Sequence, residues 1–427
     1  MKTSFKPIAL LLTGICVFMI FCSCKNQTFT PVKPFTKFPE RILSSTEITV
    51  ENIDGVKDDF IFGADLSSVL SLENSGVKFY DFEKNQRDVF EILSNCGVNT
   101  VRVRVWNNPF DKNGNGYGGG NCDVEGAVKI GKRANAYGMN LMVDFHYSDF
   151  WADPKKQQAP KAWENLNVDE KTDALYSYTK DCLLKLNKEA VKISLVQIGN
   201  ETNGAMAGEN DFDDVCKLMR AGVSATNEIY PDAKTVLHFT NPEKQGLLEY
   251  YAEKLRVNDV SYDVFATSYY PHIHGTTKNL KNVLERISDK YDKQVMVAET
   301  SYCYTADDGD FFHNTVSGND EARLKYPFTV QGQADAIREV IFAVSQVKNG
   351  IGVCYWECAW IPVGGKSYSE NFKLWQKYGS GWATSFAKEY DPVDAGKYYG
   401  GSSVDNMALF DFSGNALESL KVFAMCR

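Results

Sequence analysis

Along the chain, short apolar runs alternate with longer segments whose apolar residues recur every three or four positions. A continuous apolar, β-branched run of four to eight residues reads as a strand buried on both faces, and the 3.6-residue recurrence reads as a helix with one apolar side. From Asp59 onward the pattern predicts strands over 60–66, 100–106, 140–145, 193–198, 235–239, 264–269, 294–299 and 351–356. Helical periodicity is expected after each, with segments over 124–137, 171–188, 212–229, 247–255, 280–291, 330–347 and 416–425, and a helix near Val89 to Cys96 ahead of the second strand. Eight strand-then-helix units make an α/β chain of the (β/α)8 TIM barrel class, with one catalytic domain over residues 58–427. An open doubly wound sheet is the alternative, but it would need a glycine-rich phosphate turn after its first strand. That position reads Asp65-Leu66-Ser67-Ser68. The glycine-rich run 114–120 lies in a long loop and lacks the lysine of a phosphate-binding loop; it is expected to shape a cleft wall.

Two of the strands end in the same way. The fourth stops at Gly199 and delivers Asn200 and Glu201; the seventh ends on Glu299. The C-terminal ends of parallel barrel strands are where such folds keep their active sites, and two facing carboxylates are the equipment of a glycosidase. Either glutamate alone could equally be a cap or an ion-pair member; the pair in this setting favours chemistry. The long loops after strands three, seven and eight carry Trp151, Trp163, Trp360, Trp375 and Trp382, and loops of that length in a compact domain usually serve function.

Composition narrows the partner class. Net charge is -9 and the pI is near 5.3, so nothing points to nucleic acid. Aromatic residues make up 13% of the chain, and their flat apolar faces suit sugar rings. Lys2 and Lys6, then an apolar stretch over 8–21, read as a leader over residues 1–24, too short to span a bilayer. Its end, Cys22-Ser23-Cys24, resembles a loosened bacterial lipobox, with Cys24 expected to carry lipid and Cys22 as the alternative. Residues 25–57, with Pro31, Pro34 and Pro39, are expected to be a tether. The protein is then a monomer held by lipid to the outer membrane of a bacterial envelope, on its outer or periplasmic side. The eight cysteines beyond Cys24 show no zinc spacing and read as buried apolar side chains.

The segments GADLSS at 63–68, VRVRVW at 101–106, DFHYSDFWADP at 144–154, QIGNE at 197–201, VAETSY at 297–302, YWECAWIP at 355–362 and DNMALFDF at 405–412 resemble the family 53 glycoside hydrolases. These are arabinogalactan endo-β-1,4-galactanases, retaining enzymes built on a (β/α)8 barrel. The resemblance runs from Asp59 to the carboxyl terminus. It implies that Glu201 is the general acid/base and Glu299 the nucleophile, with β-1,4-galactan as substrate. It further implies that Asn200 bonds the sugar 2-hydroxyl, that Trp356 floors the cleaved subsite, and that His146 is a sugar partner or a brace. Arg104 and a tyrosine, Tyr269 or Tyr270, are the candidates for keeping Glu299 ionised, while Asp149, Trp151 and Asp153 are expected along the cleft. Cys358 stands where the family pattern holds proline. Bacterial members carry calcium in the loop after strand seven; here Asp308, Asp310 and Asn314, joined by Asp391 from the loop after strand eight, are the expected ligands, oxygen donors of the kind a hard cation takes.

The rival readings are another retaining endo-glycanase acting on mannan, xylan or β-glucan, and a surface glycan-binding lipoprotein without activity. The loop motifs disfavour the first and the intact carboxylate pair the second.

Overall fold

The computed structural model describes residues 29–42, 45–365 and 367–427. The expected leader, with Cys22 and Cys24, lies outside them. Eight parallel strands, β1 (Ile61–Asp65), β2 (Thr100–Val105), β3 (Asn140–Phe145), β4 (Ile193–Ile198), β5 (Lys234–Phe239), β6 (Val264–Ser268), β7 (Gln294–Thr300) and β8 (Gly350–Tyr355), close into a barrel in chain order, with β8 returning to β1. The strands coincide with the apolar runs to within a residue or two at each end. Their burial is nearly continuous because the outer face of each strand meets a helix and the inner face meets the barrel interior.

The helices between strands form where the 3.6-residue apolar stripe predicted them. Val168–Lys188 begins with a capping box in which Asn167 accepts from the backbone of Glu170 and Glu170 answers to the Asn167 N–H. Phe212–Ile229 buries Val215, Met219, Gly222, Thr226 and Ile229 along one side. Gly222 is required there, since a Cβ on it would lie 2.5 Å from Ile198, the last residue of β4. That close approach pins the strand end that carries Asn200 and Glu201. The expected helix over 416–425 is instead a 3-10 turn, Glu418–Lys421, followed by the short helix Val422–Met425.

Inside the barrel the lower half is apolar, with Met142, Leu195, Val236, Val264 and Met296 packed together. The upper half is polar: Asp65, Arg102, Asp144, Gln197 and His238 are all fully buried and bonded to one another. This change of character halfway up the barrel puts the chemistry at the C-terminal end.

The tether reading needs correction over its described part. The chain from Pro31 to Arg427 is one compact unit. Val32 N donates to Asn187, Phe35 exchanges two hydrogen bonds with Asn140, Ile42 N donates to Asn95 O, and Thr49 exchanges two with Gln331. Ile48 and Ile53 are buried. Proline-rich composition suggested a spacer, but the backbone groups and two isoleucines of this strap find partners on the barrel.

Candidate active site

The cleft opens at the C-terminal ends of the strands and encloses about 290 Å³, lined among others by Glu201, Glu299, Asn200, Tyr270, Trp151, Trp356 and Trp382. Glu201 follows β4 by three residues and sits at φ 46°, a left-handed conformation rare for a residue with a Cβ. The turn is held by β5, since Thr202 N and its hydroxyl both donate to His238 O. Glu299 lies within β7, beside Ser268 of β6 in the strand register. Ser268 Oγ is 2.6 Å from Glu201 Oε1 and 3.5 Å from Glu299 Oε2, so these two oxygens are at most about 6 Å apart. A shared hydroxyl brings the two carboxyl groups close together, as a retaining pair needs.

The two carboxyl groups have different surroundings. Glu299 is buried, bonded to the Arg102 guanidinium at 2.9 Å through Oε1 and to the Tyr270 hydroxyl at 2.9 Å through Oε2. Among the described residues no cation is bonded to Glu201. Burial first, and the negative charge of Glu299 second, push its carboxyl well above the usual carboxylate range, while the Ser268 donor works the other way. Burial raises the Tyr270 phenol further above its ordinary value, with Glu299 and Glu201 adding to it, so it remains a donor.

Arg102 is the centre of the buried network. It bonds Asp65 at 3.0 Å, Asp144 at 2.8 Å and Glu299 at 2.9 Å, and also reaches Gln197 and Asn200 Oδ1. Burial alone would lower its pKa; the three carboxylates outweigh that and keep it charged. A guanidinium in a dry site needs such partners. Asn200 is fixed on both sides, accepting from Arg102 and donating to Ala152 O at 2.9 Å.

Several residues stand elsewhere than the sequence suggested. Arg104 does not touch Glu299. Its guanidinium pairs with the buried Glu357 at 2.6 Å, donates to Gly119 O, and lies 4.3 Å from the Trp151 ring centroid. Tyr269 is buried and donates to Gly275 O, leaving Tyr270 as the cleft tyrosine. Asp149 accepts from the backbone N–H groups of Asn108 and Lys161; it organises its loop and does not line the cleft. His146 is a brace. Its Nδ1 accepts from Trp106 Nε1 and Ala152 N, so Nε2 carries the proton and donates to Asp144 at 3.0 Å. Trp151 and Trp356 do line the cleft, their rings 6.4 Å apart, with Trp360 stacked behind Trp151. Trp163 and Trp375 are buried away from it. The glycine-rich run packs behind this wall: a Cβ on Gly119 would lie 2.8 Å from both Trp106 and Trp151.

Cys358 is buried, and its N–H donates to Asp65 O at 3.2 Å. A proline could not make that bond.

Of the expected metal ligands, Asp308 and Asp310 come together, but their third carboxylate is Asp405, with ligand oxygens of all three within 4.8 Å of one another. Asp391 is not there. Together with Asp394 it pairs with Lys156 at the cleft rim. Asn314 donates to Asp307 O, and its Oδ1 is buried without a partner, as is Asp405 Oδ1. Sequence reasoning missed Asp405 although its segment was singled out, because a contact ninety-five residues from Asp310 has no local signal. It missed Glu357, His238 and Ser268 for the same reason.

A closed parallel barrel with two adjacent carboxyl groups, one bonded to an arginine and a tyrosine and the other to a serine, under an aromatic platform defines a glycoside hydrolase. The chain belongs to glycosyl hydrolase family 53, whose profile matches residues 61–423. It is 56% identical over 383 residues to an endo-beta-1,4-galactanase of Bacillus subtilis, covering 89% of each chain. It is 32% identical to an arabinogalactan endo-beta-1,4-galactanase of Cellvibrio japonicus, covering 80% of this chain and 91% of that one. Among solved structures it resembles the family 53 catalytic domain of Ignisphaera aggregans, with TM-score 0.79 and 36% identity, covering 89% of this chain and 99% of the other.

Proposed function

We infer that this chain is an endo-β-1,4-galactanase, hydrolysing β-1,4-galactosidic bonds of galactan by double displacement with retention. Family membership and the high identity to the Bacillus enzyme carry the substrate class. The observation that carries the mechanism is the unequal pair sharing Ser268. Glu299, bonded to Arg102 and Tyr270, attacks the anomeric carbon. Glu201, protonated, gives its proton to the departing glycosidic oxygen and later takes one from the incoming water. Asn200 and Trp356 hold the sugar undergoing substitution. The test is product analysis on purified β-1,4-galactan beside mannan, xylan and β-glucan, with the anomer followed by NMR. Internal cleavage of galactan with retained configuration is expected; cleavage of another glycan in preference, or inversion, overturns the reading.

We propose that calcium occupies the Asp308–Asp310–Asp405 cluster. The support is chemical: three carboxylates converge there, one of them with a buried, unpartnered oxygen in Asp405 Oδ1, and one further buried oxygen, Asn314 Oδ1, also lacks a partner. A hard divalent cation would take such oxygens and join the loop after β7 to the loop after β8. It supplies structure rather than catalysis.

We also propose lipid attachment at Cys24, with the mature protein a monomer held at the outer membrane. The support is the sequence of the leader alone; among the described residues no helix is long and apolar enough to cross a membrane. Cys24→Ser should move the protein out of the membrane fraction or leave a precursor. Unchanged lipid labelling would place the site at Cys22.

A further inference from the structure

Ser268 and His238 have no role in the mechanism as usually written for two carboxylates, yet they are the groups that touch both the acid/base and its support. Ser268 Oγ lies 3.0 Å from His238 Nε2, 2.6 Å from Glu201 Oε1 and 3.5 Å from Glu299 Oε2. His238 Nδ1 lies 3.3 Å from Glu201 N and 3.1 Å from Gln197 Nε2, both donors, and 2.9 Å from Asn200 Oδ1, an acceptor that also receives a bond from Arg102. With the proton on Nε2, Nδ1 accepts from Glu201 N and Gln197 Nε2; with it on Nδ1, the ring donates to Asn200 Oδ1. Burial, with Arg102 next, holds the ring neutral. With Nε2–H donating to Ser268 Oγ, the serine hydrogen is left free to turn between the two carboxyl groups.

We propose that Ser268 is a positioning residue whose hydroxyl follows the negative charge, donating to Glu299 before the first displacement and to Glu201 after it. This rests on the roles proposed above for the two glutamates. In the free and substrate-bound enzyme Glu299 is the anion and Glu201 holds its proton. When Glu201 protonates the glycosidic oxygen, Glu299 forms the C–O bond to the sugar as the galactosyl–oxygen bond breaks, and the charge moves to Glu201. The Ser268 hydrogen turns with it. In the second step water gives a proton to Glu201, its oxygen displaces Glu299 from the anomeric carbon, and the hydrogen turns back. One donor thus serves both anions in turn, and at 2.6 Å against 3.5 Å it serves Glu201 more closely than Glu299. The charged and titratable groups facing this centre are Arg102, Tyr270, His238, Asp144, His146 and Asp153 besides the two glutamates.

The test is the pH profile of Ser268→Ala and Ser268→Thr on galactan, with melting temperature checked for both. The alanine variant should lose about 10–100-fold in kcat, as befits a lost hydrogen bond to a charged group. Because the serine donor favours ionised Glu201, its loss should move the basic limb of kcat/KM to higher pH, and the threonine variant, which keeps the hydroxyl, should restore both. Imidazole nitrogen NMR should show His238 as the neutral Nε2–H tautomer between pH 5 and 8. An alanine variant with an unmoved basic limb, a threonine variant no better than alanine, or a His238 protonated on Nδ1 overturns the proposal. If wild-type enzyme fails to cut galactan, the functional reading fails instead, and the two failures are distinct.

Discussion

Glu201 and Glu299 are the same side chain made unlike by what surrounds them. Removing Glu299 takes away the nucleophile and leaves a space beside the anomeric carbon. Glu299→Ala should lose activity on the order of 10⁴-fold or more, and azide should restore part of it as a glycosyl azide of inverted configuration, identified by NMR. Glu201→Ala should lose about 10²–10⁴-fold on galactan, and far less on an aryl galactoside whose leaving group needs no proton. Because burial and the charge of Glu299 raise the Glu201 pKa, kcat/KM should hold through neutral pH and fall as pH rises through that raised value. In Glu299→Gln the second cause is gone, so the Glu201 carbon resonance should titrate at lower pH than in wild type. At this scale the pair was readable in sequence, since each glutamate ends an apolar run. Its partners were not. In Val101-Arg102-Val103-Arg104-Val105 the alternation puts both arginines on one face, and only the three-dimensional register, which sequence does not display, shows that Arg102 meets Glu299 while Arg104 meets Glu357. The choice between Tyr269 and Tyr270 turns on the same kind of detail.

Among elements, the strands were legible because a strand buried on both faces is an unbroken apolar run. The long loops were not, since polar contacts between distant segments shape them. The helix Tyr368–Tyr378 in the loop after β8 did carry local signs: Ser367 caps it, Glu370 stands three residues on, Tyr368, Phe372 and Trp375 share a side, and Gly379 ends it at φ 70°. The loops after β7 and β8 meet at Asp310 and Asp405, and from there a short path leads to the cleft. Asp310 accepts from Ser402 N at 2.7 Å, and Gly401 O accepts from Trp382 N. Binding of calcium at about a hundred times its Kd should stabilise the fold by about 2.7 kcal/mol. Excess chelator should therefore lower Tm, calcium should restore it, and Asp310→Ala should abolish the difference. An unchanged Tm together with no calcium by elemental analysis would remove the site.

For the whole molecule, the strap is part of the fold. It buries Ile48 and Ile53 against the barrel, and Pro39 lies where a Cβ on Gly138 would touch it at 2.6 Å. A chain starting at Asp58 should be less stable by about 3–6 kcal/mol in urea, the burial of two isoleucines, while the folded fraction keeps its kcat because no strap residue lines the cleft. Composition concealed this, since proline-rich stretches look alike whether they hang free or lie along a surface.

The eight cysteines from Cys96 to Cys426 are all buried thiols, and among the described residues none is paired. Burial pushes several of them, Cys96, Cys122, Cys182 and Cys303 among them, up to about 12, so the reactive thiolate is scarce at neutral pH. A barrel closed by packing and hydrogen bonds alone needs no oxidant to mature. Its Tm should therefore be the same in reductant and in oxidant, which leaves the redox poise of its surroundings without a hold on the fold.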